Sequence, residues 1–252
     1  MSTDPVIWEG IFTAFPAEKP DEIFESDRWL ARTSEAIEEN QKNIAQGNWK
    51  SSLVHEYPLA PAVAALLGSL ASEVSILDFG GGMATSYFPL RASLPSARLR
   101  YDIVESAAVC ARGQKLFADS EVSFMEQIPD KASYHVVHAG ASLHYVEHWK
   151  ALLEKFATVA SHQIILSGLT AGDQIPTFVT WQLYYGSRVP VWFWNLSDVV
   201  SHMETIGWRL AYRSLLASEY RGTVQPLPMS NFPPSHRLER KCNLIFLRKE
   251  NA

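Results

Sequence analysis

The chain has 252 residues, 47% of them hydrophobic and 19% charged, with a net charge of −5. That length suits one sizeable α/β domain with elaborations, or two small domains, and the composition excludes disordered and fibrous classes. The acidic balance, with basic residues scattered apart from a short cluster at Arg237–Lys241, argues against nucleic acid as the main partner. Cys110 and Cys242 are the only cysteines, too few for a disulfide scaffold and without metal-binding spacing, so a reducing compartment is the simple reading. Met1 to Gly10 shows no basic region followed by an apolar run, and no window holds about 18 uninterrupted apolar residues. A cytoplasmic protein with no signal peptide and no membrane association is therefore expected.

In chain order, residues 1–26 read as irregular and Pro-punctuated, with Trp8, Phe12 and Phe15 as anchors. Ser26 or Asp27 caps a helix over about 27–46, where Trp29, Leu30, Thr33, Ala36, Ile37 and Ile44 recur at helical spacing before Gly47. A second helix, rich in Ala and Leu, reads from about Pro58 to Ala71. Together these make an N-terminal helical extension, residues 1–72, ahead of a main domain over 73–252.

From Val74 strands and helices alternate. Strands are expected at 74–79, 99–104, 122–124, 135–139 and 163–167, and helices near 84–93, 106–118 and 147–160. This rhythm makes a Rossmann-like, mostly parallel sheet with helices on both faces. An aromatic insertion at about 170–195 interrupts it, carrying Trp181, Gln182, Tyr185 and Trp192 as candidate acceptor contacts. Packing or a homodimer patch explains those aromatics equally well. A helix near 197–206 then precedes two strands, Trp208–Leu216 and Cys242–Leu247, with no helix between them, which suits a terminal antiparallel pair.

The chemistry concentrates where the first of those strands ends. Val74-Ser-Ile-Leu-Asp-Phe79 runs into Gly80-Gly81-Gly82 and then a helix, an order that cradles a nucleotide-like ligand against bare backbone. The turn departs from the dinucleotide pattern at Thr85, and no Gly-Lys-Ser/Thr follows as in a phosphate-binding Walker loop. Asp78, two residues before the turn, is an acceptor where a phosphate site would not want one. Glu105 ends the next strand, 25 residues after Gly80, where a carboxylate can accept from a ribose diol.

Ile76-Leu-Asp-Phe-Gly-Gly-Gly82 with Glu105 resembles the class I S-adenosylmethionine-dependent methyltransferases, whose seven-stranded sheet ends in an antiparallel pair. Trp8-Glu-Gly-Ile-Phe12, Ser86-Tyr-Phe88, Phe124-Met-Glu-Gln-Ile128 and Trp192-Phe193 further resemble an uncharacterised bacterial methyltransferase family often associated with surface-polysaccharide loci. The resemblance implies S-adenosylmethionine as cofactor and methyl transfer to an oxygen or nitrogen of a small-molecule or carbohydrate-like acceptor. It would place Asp78 on the cofactor's ammonium, Gly80 and Gly82 along its tail and Glu105 on its ribose. Ser106, Met125 and Glu126 would flank the adenine. His144, after the fourth strand, is the candidate base, since a neutral imidazole accepts a proton near neutral pH. His144-Tyr-Val-Glu147-His148 also spells the zinc-peptidase pattern H-x-x-E-H, but chance is the better explanation and no metal is expected. The rival readings are a nicotinamide-dependent oxidoreductase and a non-catalytic binding module on the same fold.

Overall fold

The computed structural model describes residues 6–18, 20–48, 57–68, 73–118, 120–184, 186–217, 219–220 and 223–249. Its elements in order are β1 (Trp8–Phe12), α1 (Asp27–Ala45), α2 (Leu59–Leu67), β2 (Val74–Phe79), α3 (Tyr87–Ser93), β3 (Leu99–Val104), α4 (Ala107–Leu116) and β4 (Val122–Met125). There follow β5 (Tyr134–Gly140), α5 (Trp149–Val159), β6 (Ala160–Leu169), β7 (Ala171–Gly172), β8 (Phe178–Tyr184), β9 (Ser187–Asn195) and α6 (Leu196–Thr205). The last are β10 (Trp208–Leu215), β11 (Glu219–Tyr220), β12 (Thr223–Val224) and β13 (Cys242–Arg248).

The main sheet has seven strands in the order β10-β13-β6-β5-β2-β3-β4. The five strands from β6 to β4 pair in parallel, while β13 is antiparallel to both β6 and β10, as the missing helix between the last two strands implies. The central strand β2 is buried along nearly its whole length, which explains its near-continuous apolar run. Residues of α1 to α4 pack on one face with Ile76, Tyr101 and Ile165, and α5 and α6 pack on the other with Leu77, Val137 and Leu166. Both cysteines are buried and free.

Local chemistry sets the element ends. The Ser26 hydroxyl accepts from the Trp29 N–H at the start of α1, and Gly47, at φ +68°, follows its end. At α6 the cap is Asn195, whose side chain accepts from the Ser197 N–H.

Two expectations change. Residues 8–12 are not irregular: they form β1, which pairs antiparallel with β8. The aromatic segment is a hairpin, β8 against β9, in a second sheet ordered β1-β8-β9-β7 over a core of Trp8, Phe178, Phe193 and Phe232. The N-terminal segment is therefore strand as well as helix, and it joins the insertion. Among the described residues no helix is long and apolar enough to cross a membrane.

Candidate functional site

The turn after β2 can be made only by a particular residue at its first position. Gly80 lies at φ +64°, and a Cβ there would sit 2.4 Å from the Ser142 Cβ. Ser142 follows β5, and its hydroxyl donates to the Phe79 carbonyl at 2.6 Å, which ties the ends of β2 and β5 together. Ala141 beside it also holds a left-handed backbone, φ 53°, an uncommon conformation for a residue with a side chain.

Glu105 closes the other side. Its Oε1 accepts from the Gly82 N–H and its Oε2 from the Ser106 N–H, both at 3.0 Å. Burial pushes its pKa up, the two N–H donors pull it back, and the negative charges of Asp78 and Glu25 add to the rise. Each carboxylate oxygen has a second lone pair for a ligand hydroxyl. Ser106, at the N-terminus of α4, keeps a buried hydroxyl with no hydrogen-bond partner.

Between these groups lies a cavity of about 380 Å³, within the range of small-molecule sites. Gly80, Gly82, Glu105 and Ser106 form one side, Ala141, Ser142 and Tyr145 another, and Phe24 with Trp29 the cover. Glu126 and Val104 complete the end beyond Glu105. The described lining holds two carboxylates and no lysine or arginine. Phe24 makes edge-on contacts with Trp29 and with Tyr145, at 5.8 and 5.1 Å between ring centres, so the N-terminal segment closes over the site.

Five sequence-derived candidates thus meet at one place: Gly80, Gly82, Glu105, Ser106 and Glu126. Asp78 does not line the cavity. It is fully buried beneath the turn, where its carboxylate accepts from the Tyr101 hydroxyl at 2.6 Å and pairs with His138 Nδ1 at 2.8 Å. His138 Nε2 lies 3.0 Å from the Ser167 hydroxyl, so a polar chain crosses four neighbouring strands below the ligand space. Met125, ending β4, packs against the apolar core.

The structure also carries His144 away from the cavity. Residues 143–145 form a 3-10 turn that points its imidazole inward, buried, with Nδ1 unpartnered. Burial, and then the charge of Lys241, hold its pKa well below the usual histidine value. The turn presents Tyr145 to the cavity instead. His148 is the N-cap of α5, so the two histidines of H-x-x-E-H share no helix face, and the described residues contain no group of three or more metal-binding side chains.

Of the acceptor candidates, Gln182 touches a residue of the lining: its Oε1 accepts from the Tyr145 hydroxyl at 2.8 Å. Trp181 is buried beneath Arg188, whose guanidinium lies 4.5 Å from its ring centre. Trp192 stacks on Phe15 and donates to the Glu147 carbonyl. Tyr185 lies outside the described residues. Sequence reasoning missed Phe24 and Trp29 as cavity residues. Trp29 was visible as part of the apolar stripe of α1, but such a stripe does not say what it covers.

No protein-family model and no curated protein matches the sequence. Solved structures do match in shape. A chain from the Haloferax volcanii complex of the Trm112 methyltransferase activator with a methyltransferase aligns at TM-score 0.55 and 13% identity, over 90% of this chain and 97% of that one. The Burkholderia thailandensis 1,6-didemethyltoxoflavin-N1-methyltransferase, solved with bound 1,6-didemethyltoxoflavin and S-adenosylhomocysteine, aligns at 0.53 and 13%, over 95% of each chain. The Synechocystis magnesium protoporphyrin IX methyltransferase with bound S-adenosylmethionine aligns at 0.52 and 15%, over 93% of this chain and all of that one. At such low identity the likeness speaks to architecture. The chain has the class I S-adenosylmethionine-dependent methyltransferase fold.

Proposed function

We propose that the chain is an S-adenosylmethionine-dependent methyltransferase acting on an oxygen or nitrogen of a small-molecule acceptor. The observation that carries this reading is the charge of the cavity: its described lining holds two carboxylates and no cation, beside a glycine turn. A dinucleotide brings two phosphates, which such a lining does not favour, whereas S-adenosylmethionine has no phosphate and two positive groups. The bound S-adenosylhomocysteine and S-adenosylmethionine of the Burkholderia and Synechocystis enzymes support the same choice.

The residues present fit that cofactor. Glu105 would hold the ribose hydroxyls, and the unpartnered Ser106 hydroxyl would find a partner near the adenine, with Glu126 beside it. Gly80 and Gly82 leave the tail room along the backbone. Asp78, with Tyr101 and His138 on its carboxylate, would hold the turn in shape from below. When bound, the cofactor supplies an electrophilic methyl group on a sulfonium.

The protein's part is to position and to exclude water. Phe24, Trp29 and Tyr145 cover the site, and the small side chains of Ala141 and Ser142 leave space for an acceptor. With His144 turned inward, no histidine belongs to the described lining, and orientation carries the rate. The carbohydrate-like acceptor and the cytoplasmic setting rest on the sequence resemblance and composition. Calorimetric titration with S-adenosylmethionine and with NAD tests the reading: binding of the first alone is expected, and binding of NAD alone would replace it with the oxidoreductase.

A further inference from the structure

The charge of the cavity leaves one group of the proposed cofactor unmatched. Its sulfonium and ammonium suit an acidic lining, but its α-carboxylate meets no cation among the described lining residues. A second cavity, of about 170 Å³, shares Trp29 with the first. Its lining is of the opposite kind: Arg28 and Arg32, with Ser26, Ser187, Ile23 and Trp29. Trp29 is close to the glycine turn, its Cη2 lying 3.7 Å from where a Cβ on Gly82 would be.

The placement follows from α1. Residues four apart share a helix face, so Arg28 and Arg32 project side by side. Ser26 caps this 19-residue helix, whose N-terminal end adds partial positive charge at the same place. Both arginines already have an interaction in the protein. With five N–H donors each, they can keep it and still hold a carboxylate in a bidentate pair.

We propose that Arg28 and Arg32 bind the carboxylate of the cofactor's amino-acid tail, with Trp29 separating that acidic group from the adenosyl cavity. This rests on the S-adenosylmethionine reading. It also gives α1 a task beyond covering the site: the helix senses whether the ligand carries an amino-acid end.

Calorimetry on the full chain with two ligands tests it, S-adenosylhomocysteine, which has the tail, and methylthioadenosine, which lacks it. Arg32→Ala and Arg28→Ala should each weaken S-adenosylhomocysteine binding roughly 10- to 100-fold, the scale of a lost hydrogen bond to a charged group. Methylthioadenosine should bind the variants and the parent alike. Arg209→Ala, which removes an exposed charge from β10 at the sheet edge, should change neither ligand. Both arginines of α1 are exposed, so the variants should fold, and circular dichroism checks this. Equal weakening of both ligands, or of neither, would overturn the assignment. Failure of the parent protein to bind either ligand would instead sink the cofactor reading on which it stands.

Discussion

Strands β2 and β3 pair in register, and each brings a carboxylate to the same edge of the sheet: Asp78 one residue before the end of β2, Glu105 just past the end of β3. Asp78 is sealed under the glycine turn with Tyr101 and His138 on its oxygens. Glu105 faces the cavity and holds only backbone N–H groups, keeping lone pairs for a ligand. A shift of a few residues along equivalent strands thus separates a carboxylate that supports the loop from one that can bind. Both look alike in a sequence, where an acid near a glycine turn invites a ligand role for each.

The largest expected effect breaks the buried side. Asp78→Ala leaves the Tyr101 hydroxyl and the His138 imidazole without their acceptor, at about 1–3 kcal/mol each, so denaturant unfolding should show a loss of roughly 2–6 kcal/mol. If the variant is as stable as the parent, the polar chain under the turn is not structural. Glu105→Ala should act in the opposite way. Its stability should fall by less than that of Asp78→Ala, because cavity water can take over the Gly82 and Ser106 N–H groups, while S-adenosylhomocysteine binding weakens by about 1.5–3 kcal/mol in calorimetry, the worth of hydrogen bonds to a charged group. Unchanged affinity in the folded variant would contradict the ribose assignment.

The pH dependence sharpens the same contrast. Because burial raises the Glu105 pKa, its carboxylate takes up a proton at higher pH than an ordinary glutamate. Affinity for S-adenosylhomocysteine should therefore be full when Glu105 is ionised and fall as the pH drops through that raised value. Glu105→Gln should flatten the profile, measured by titration across a pH series. The smallest effect belongs to His144. Its folded pKa is depressed, so its contribution to stability is intact above the unfolded value of 6.5 and is lost as the pH falls below it, where only the unfolded chain takes up the proton. His144→Leu should lessen that acid sensitivity in thermal unfolding and leave S-adenosylhomocysteine affinity unchanged.

Much of the main sheet was legible because its strands are buried on both faces and so read as apolar runs bounded by turns. Each strand of the seven-stranded sheet falls within a few residues of its expected place, since strands buried on both faces keep their apolar runs. The cavity's glycine turn, Glu105, Ser106 and Glu126 were legible for the same reason: they follow strands directly. What the sequence hid depends on contacts between distant segments. Residues Trp8–Phe12 carry Gly10 and a single buried side chain, so nothing local marks them as a strand until β8 supplies the partner. His144 was read by its distance from β5, but a tight turn rotated it inward and put Tyr145 in its place. Phe24 and Trp29 close over the cavity from a stretch of chain about 50 residues before the turn they cover, and helical periodicity records only that one side of α1 is apolar.

A crystal structure with S-adenosylhomocysteine tests the central claim most directly. The ligand should lie between the Gly80–Gly82 turn and Ser142, with its ribose hydroxyls on the Glu105 carboxylate and Asp78 still bonded to Tyr101 and His138. Density for the ligand at another place, or a Glu105 side chain swung out to solvent with the ligand bound, would contradict it.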